Sequence, residues 1–468
     1  MDDLLYKDYL NLLKSELQVA LGCTEPIAIA YAVCCARSLL KSEFSHIELE
    51  CSGNIVKNAM AVKVPNSGGQ RGIKVAALLG AIGGVYEKGL ACLSDITEND
   101  RELCRKYLEE KRCKVHCLCE VAGLKIIAKV YSVDGHEATV EIKDSHTNIV
   151  RMELDGKVVN NSTMGDMLFL EVARQELNHK VNTIDELIGA SCEGAVISPN
   201  QKTSPDIDID PLELRNKLEL KEIIYFAENV NIEDVRDVIM QQANLNMEIA
   251  EEGLRKNYGA EVGQTIRDCG NWDDVETKIK ALTSAGSDAR MSGCSKPVVI
   301  NSGSGNQGIT VSVPVVVYAR EKGYSEDEMI RALVCSNLIA LLQKRYIGNL
   351  SAYCGVMCAA TAAACGITFL KNGRYEKIGK VITNTLGNIS GVFCDGAKSS
   401  CAAKIASGLE AALLSIHMVE RSCTFQNGEG LTKDCPEETI RGVGYVAREG
   451  MRSTDREILK VMLGEEDA

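Results

Sequence analysis

Residues 349–404 begin N-L-S-A-Y-C-G-V-M-C-A-A-T-A-A-A-C-G and end G-V-F-C-D-G-A-K-S-S-C-A-A-K. No charged side chain lies between Arg345 and Lys371, and Gly, Ala, Ser, Thr and Cys outnumber the large apolar residues there. Small side chains let backbones approach closely, so residues 346–370 predict a buried, tightly packed helix in a mainly helical domain. The run has the length of a membrane span, but Asn349, Ser351, Tyr353 and Thr361 weaken its hydrophobicity, and it is expected to be a soluble core helix. Cys354, Cys394 and Cys401 stand beside glycine or other small residues, and three thiolates brought together suit a soft metal centre. The C-x6-C spacing of Cys394 and Cys401 is none of the familiar ferredoxin or zinc-finger spacings. Cysteines in alanine-rich helices, such as Cys358 and Cys365, are ordinarily small buried hydrophobes. Spacing leaves both readings open.

Outward from this stretch the pattern stays helical, with the clearest periods over residues 232–258, 326–342 and 405–419 and a capping box at Ser325 and Glu328. Strands and helices do not alternate, which argues against a doubly wound domain. Residues 3–18 carry another helical stripe, interrupted at Gly22. Cys23-Thr24-Glu25-Pro26 follows, with Pro26 suited to a first helical turn, Thr24 to its cap, and the helix continuing to residue 40. Cys23 then lies near a helix N-terminus, where the positive end of the macrodipole lowers a thiol pKa. It is a reactive-thiol candidate, the alternative being a packing cysteine in a helix corner.

From residue 45 the period changes. Residues 46–51, 61–64, 125–131, 137–142 and 149–154 read as strands, with Asp134-Gly135 and Asp155-Gly156 as hairpin turns and helices over 72–86 and 100–111. A helical segment over 164–178 and the polar stretch S-P-N-Q-K-T-S-P-D-I-D-I-D-P at 198–211 close this part. The expected fold is α+β. Residues 1–44 and 212–468 form a mostly helical catalytic domain, residues 45–197 an inserted α+β domain, and residues 198–211 a linker.

A chain of 468 residues has room for two or three domains. A formal charge of -13, only 4% aromatic residues and the single Trp272 argue against a nucleic-acid partner. The acidic start Met1-Asp2-Asp3 does not resemble a signal peptide, so most of the 20 cysteines are expected to be free thiols in a reducing cytoplasm. The six histidines are scattered, with no H-E-x-x-H and no Walker loop. Cys113 with His116-Cys117-Leu118-Cys119 resembles a zinc knot only superficially, since it has no second half.

Two glycine-rich loops remain, residues 64–72 (V-P-N-S-G-G-Q-R-G) and 301–308 (N-S-G-S-G-N-Q-G). Successive backbone N–H groups in such loops form nests for carboxylates or phosphates, although tight turns look the same. Arg290 offers either a bidentate carboxylate contact or a surface ion pair. The S-G-N-Q-G turn also resembles that of pyridoxal-phosphate enzymes eliminating from serine or cysteine. Those need an upstream Schiff-base lysine in an α/β fold, and Lys296 lies only five residues before Asn301, so this reading ranks second.

Gly22-Cys23-Thr24-Glu25-Pro26, N-S-G-S-G-N-Q-G, A-Y-C-G and C-D-G-A-K-S-S-C, in that order, resemble the L-cysteine desulfidase family, which is related to the iron-sulfur L-serine dehydratases. The resemblance covers essentially the whole chain. It implies a [4Fe-4S] cluster held by Cys354, Cys394 and Cys401 with one iron left open as a Lewis acid. The second and third ligands are farther apart in the serine dehydratases, which favours the desulfidase branch. On this reading Cys23, with Thr24 and Glu25 in its motif, removes the Cα proton. Arg290, Ser302, Ser304, Asn306 and Gln307, with Asn66 and Ser67, hold the amino acid. L-Cysteine would give sulfide, pyruvate and ammonia. An L-serine dehydratase is the alternative, followed by a non-catalytic iron-sulfur sensor or an amino-acid-binding protein. The expected partner is a small amino acid, with no nucleic acid and no membrane, and a homo-oligomer is left open.

Overall fold

A computed structural model describes residues 1–121, 123–159, 211–348 and 351–464. The chain forms an α+β fold with a helical majority, as its periodicities predict. The strands are β1 (Val19–Leu21), β2 (Phe44–Ser52), β3 (Cys113–Leu118), β4 (Lys125–Ser132), β5 (Glu137–Lys143), β6 (Ile149–Leu154), β7 (Lys157–Val158) and β8 (Pro297–Val299). Six of them make a sheet in the order β3-β2-β4-β5-β6-β7, parallel between β2 and β3 and antiparallel elsewhere. Alternate residues of a strand share a face, so Ile47, Leu49 and Cys51, Ile126, Ala128 and Val130, and Ala138, Val140 and Ile142 are buried together. Helix Thr24–Ser38 packs across β4 and β5. Asp134-Gly135 and Asp155-Gly156 turn the hairpins as expected.

The helical part is built around Gly355–Leu370, which packs against Gly305–Lys322, Glu326–Ile347 and Ser400–Glu420. Its small residues permit that crowding: a Cβ at Gly366 would stand 3.0 Å from the Ala332 carbonyl oxygen. β1 pairs antiparallel with β8 and so ties the segment before Cys23 to the segment before Asn301. Among the described residues one helix, Ser400–Glu420, is long and apolar enough to cross a membrane by length and composition, and 56% of its most apolar window is buried in the protein.

Several expectations change. The uncharged run is not one helix, because Glu326–Ile347 stops at Gly348 (φ 90°) and the next helix starts only at Gly355. The break is held by pairing of Tyr353 with Phe393, a partner remote in sequence. Residues 61–64 are not a strand; Lys63 bridges Arg71 inside its own loop. Cys23, not Thr24, is the cap residue, and the helix already includes Thr24. Pro26 sits in the first turn, where its missing N–H costs nothing. The second glycine-rich loop is shorter than expected, since Ser304 caps a helix that begins at Gly305. Cys117 and Cys119 are joined to each other as a disulfide at the end of β3. The segments read at 164–178 and 198–211 lie outside the described residues, apart from Pro211, which opens helix Pro211–Arg215.

Candidate active site

Residues 352–354 run antiparallel to residues 392–394. The Cys354 N–H donates to the Val392 carbonyl (3.0 Å), the Cys394 N–H donates to the Ala352 carbonyl (2.5 Å), and Tyr353 faces Phe393. Opposed residues share a face and neighbours alternate, so Tyr353 and Phe393 occupy one face while Cys354 and Cys394 lie diagonally on the other. Diagonal positions are about 7–8 Å apart, closer at Cβ, a spacing for sulfurs that bind neighbouring atoms of a cluster rather than one ion. Cys401 joins them from the first turn of helix Ser400–Glu420, its N–H held by the Lys398 carbonyl (2.9 Å). Burial first, then the Cys394 and Cys401 sulfurs, push the Cys354 thiol pKa up. Burial also raises that of Cys401, with Cys394 adding to it and Lys404 and Arg290 opposing it. Among the described residues no three His, Cys, Asp or Glu side chains converge on a single metal ion. A cubane takes one cysteine per iron, and three neighbouring thiols in this arrangement fit that donor set.

Cys23 packs with Val62, Met291, Ala397 and Cys401, so the first and last motifs of the chain meet in space. Its thiol donates to Glu25 Oε2 (3.0 Å), which also accepts from Thr24 Oγ1 (3.1 Å). Burial first, and then the Glu25 carboxylate, hold the Cys23 thiol well above its ordinary pKa, with Arg290 pulling the other way. The expected helix-activated thiolate is therefore corrected. At this cap, desolvation and a neighbouring carboxylate outweigh the macrodipole, and Cys23 rests as a neutral thiol.

The same carboxylate lies 4.0 Å from His146 Nε2. His146 is buried, its Nε2 has no hydrogen-bond partner, and its ring lies 3.0 Å from where a Cβ at Gly303 would be. Burial lowers its pKa, Arg290 lowers it further, and Glu25 opposes them. The six histidines are scattered in the sequence, and no motif marks this one. It arrives from the turn between β5 and β6, and only the docking of that sheet brings it to Glu25.

Arg290, on helix Val275–Met291, is 2% exposed, and neither its Nε nor its Nη2 has a hydrogen-bond partner. Gly305 makes room for it: a Cβ there would stand 2.3 Å from Nε. Asn306 Oδ1 and Gln307 Oε1 are likewise buried and unpaired. The Gln307 amide lies 2.7 Å from a Cβ position on Gly355, the residue after Cys354. An unpaired buried polar group costs about 1–3 kcal/mol, and more when charged. A guanidinium with free donors near two amide oxygens with free acceptors complements a carboxylate plus an ammonium.

The other candidates are engaged locally. Ser302, in a left-handed conformation (φ 51°), donates to Asn301 Oδ1, and Ser304 caps its helix by accepting the Gln307 N–H. Asn66 Nδ2 donates to the Leu93 and Ser94 carbonyls, and Ser67 Oγ to the Gln70 carbonyl. Ser67 braces its own loop and Asn66 ties that loop to residues 93–94, while Val62, just before the loop, reaches Cys23.

Residues 87–460 match the family model described as the serine dehydratase alpha chain. The chain is 41% identical to a Treponema denticola protein over 99% of both chains. It is also 41% identical to one from Lachnoclostridium phytofermentans, covering 98% of this chain and all of the relative. A protein from Desulfitobacterium hafniense is 39% identical over 99% of this chain and 98% of its own. All three are described only as UPF0597 proteins.

Proposed function

Because the chain belongs to the serine dehydratase alpha chain family, we propose that it is a lyase of that type acting on L-cysteine, with hydrogen sulfide, pyruvate and ammonia as products. One observation carries the reading: Cys23 packs against Cys401 at a site where Arg290, Asn306 and Gln307 hold buried, unpaired polar atoms. Cys354, Cys394 and Cys401 would hold the [4Fe-4S] cluster, which when bound supplies a Lewis acid with a vacant position for the substrate.

The chain's own groups do the rest. Arg290 takes the carboxylate, and the amide oxygens of Asn306 and Gln307 take the ammonium. That ammonium adds positive charge beside the Cys23–Glu25 pair, which lowers the cost of ionising the thiol. Glu25 accepts the thiol proton, and the Cys23 sulfur then removes the proton from Cα. The Cα–H electrons form the Cα–Cβ double bond while the Cβ–S bond breaks, its electron pair leaving on hydrosulfide. The aminoacrylate so formed takes up water to give pyruvate and ammonia. The numerous buried free thiols suit a reducing compartment, the cytoplasm.

Hydrosulfide leaves without a proton donor, and a soft iron site prefers sulfur, which favours L-cysteine. His146 is the observation that favours L-serine instead, since departing hydroxide needs an acid and an imidazole stands beside Glu25. Its burial keeps the ring neutral and so a poor acid, and cysteine stays the first reading. Measuring kcat/KM for both amino acids on anaerobic, iron-reconstituted protein decides between them. A preference of about tenfold or more for L-cysteine, about 1.4 kcal/mol, without added pyridoxal phosphate is expected. A preference for L-serine moves the chain to the dehydratase branch, and dependence on pyridoxal phosphate overturns both readings.

A further inference from the structure

Away from Cys23 and Arg290, a cavity of about 280 Å³ opens between helix Gly53–Ala59 and helix Arg452–Leu463, with Asn54, Ala352, Arg448, Arg452, Asp455 and Arg456 in its walls. Asn54 is 7% exposed and its Oδ1 has no hydrogen-bond partner, although its backbone carbonyl accepts from Asn58 Nδ2. The wall's acids are committed, Asp455 to Lys57 and Glu120 to Arg456 (2.5 Å). Arg448 and Arg452 share the single carboxylate of Glu449, with Arg452 the looser at 3.8 Å. Two guanidiniums with one carboxylate between them leave charge for an anion, and Asn54 Oδ1 calls for a donor on the same ligand. The volume falls just below the usual 300–1,000 Å³ of small-molecule pockets, so the ligand is small.

Cys394 is held at one backbone group by the wall itself and at the other by Lys57, which lies behind the wall and is paired with its Asp455. Ala352 accepts the Cys394 N–H, and Lys57, one turn after Asn54 and 1% exposed, donates to the Cys394 carbonyl (3.3 Å) while paired with Asp455. We propose that this cavity is a second binding site, for a small carboxylate that also carries a hydroxyl or amino donor, and that its occupation changes how Cys394 is held. The proposal stands whether or not Cys394 ligates a cluster.

The test is calorimetric titration of the full chain with L-lactate, using acetate as the probe that lacks the donor. L-Lactate saturates one site in the millimolar range, and acetate binds about tenfold more weakly, a difference of about 1.4 kcal/mol. Arg452→Ala, at an exposed position that leaves the fold intact, and Asn54→Ala each weaken L-lactate by a similar factor. Arg290→Met leaves it bound. The site is overturned by an absence of saturation at about 50 mM, far weaker than millimolar affinity. It is equally overturned if Arg452→Ala binds like the wild type, or if Arg290→Met alone abolishes binding. The coupling is read on the full chain free of iron, where the Cys394 thiol is open, by its iodoacetamide alkylation rate, followed by peptide mass spectrometry. A change with L-lactate is expected, and an unchanged rate at saturation refutes the link through Lys57.

Discussion

Cys23 rests as a neutral thiol because its cap position is buried and its nearest partner is the Glu25 carboxylate. The sequence displayed the residue but not that state, since the helix N-terminus is visible in G-C-T-E-P while the burial around it comes from Val62, Met291 and Cys401. On the proposed mechanism Cys23→Ala keeps the fold, because Cys and Ala differ little in volume. It should lose exchange of the substrate Cα proton with solvent deuterium by about 10²-fold or more. Proton NMR of L-cysteine or L-serine in deuterated buffer reads this, and exchange at the wild-type rate removes Cys23 from the mechanism. Arg290 was legible as a candidate, but its two unpaired nitrogens were not, and His146 was invisible because no local pattern announces a histidine delivered by a docked sheet.

Two glycines of helix Gly305–Lys322 separate site from scaffold. A Cβ at Gly305 meets the Arg290 guanidinium and stands 2.8 Å from the Val298 Cγ2 methyl, side-chain atoms both, whereas a Cβ at Gly308 would stand 2.0 Å from the backbone carbonyl oxygen of Val299 in β8. Gly305→Ala should therefore raise KM and cost less stability than Gly308→Ala, since side chains yield more readily than backbone. Gly308→Ala should destabilise the fold by about 1–3 kcal/mol or more. Urea unfolding midpoints of the two variants check this, and equal midpoints contradict it. Elements fixed by local chemistry were legible in the sequence, among them the Ser325–Glu328 capping box and the Asp134-Gly135 and Asp155-Gly156 hairpins. The composition of 346–370 reads as one continuous helix, whereas its break involves pairing with Phe393, which periodicity within the run cannot reveal.

Across the whole molecule, the chain folds so that its first motif, its second glycine-rich turn and its two cysteine motifs reach one site. The same fold buries many thiols. Burial raises Cys35, Cys51, Cys92, Cys113 and Cys335 to about 12 and Cys104 and Cys358 to about 11, against 9.0 for a free thiol. The unfolded chain thus releases these protons first. Their contribution to stability is fully present below pH 9 and is lost as pH rises through 11 to 12, by up to about 1.4 kcal/mol per thiol for each pH unit. Under reducing conditions the urea midpoint should fall sharply between pH 8 and pH 10, and an unchanged midpoint contradicts the burial of these thiols. On the proposed function Cys354, Cys394 and Cys401 together hold an iron-sulfur cluster beside Cys23. Iron and acid-labile sulfide, measured on anaerobically purified wild type and on Cys354→Ala, Cys394→Ala and Cys401→Ala, test it most directly. About four of each per wild-type chain are expected, with loss of both in each variant, and full iron retention in all three variants overturns the cluster assignment.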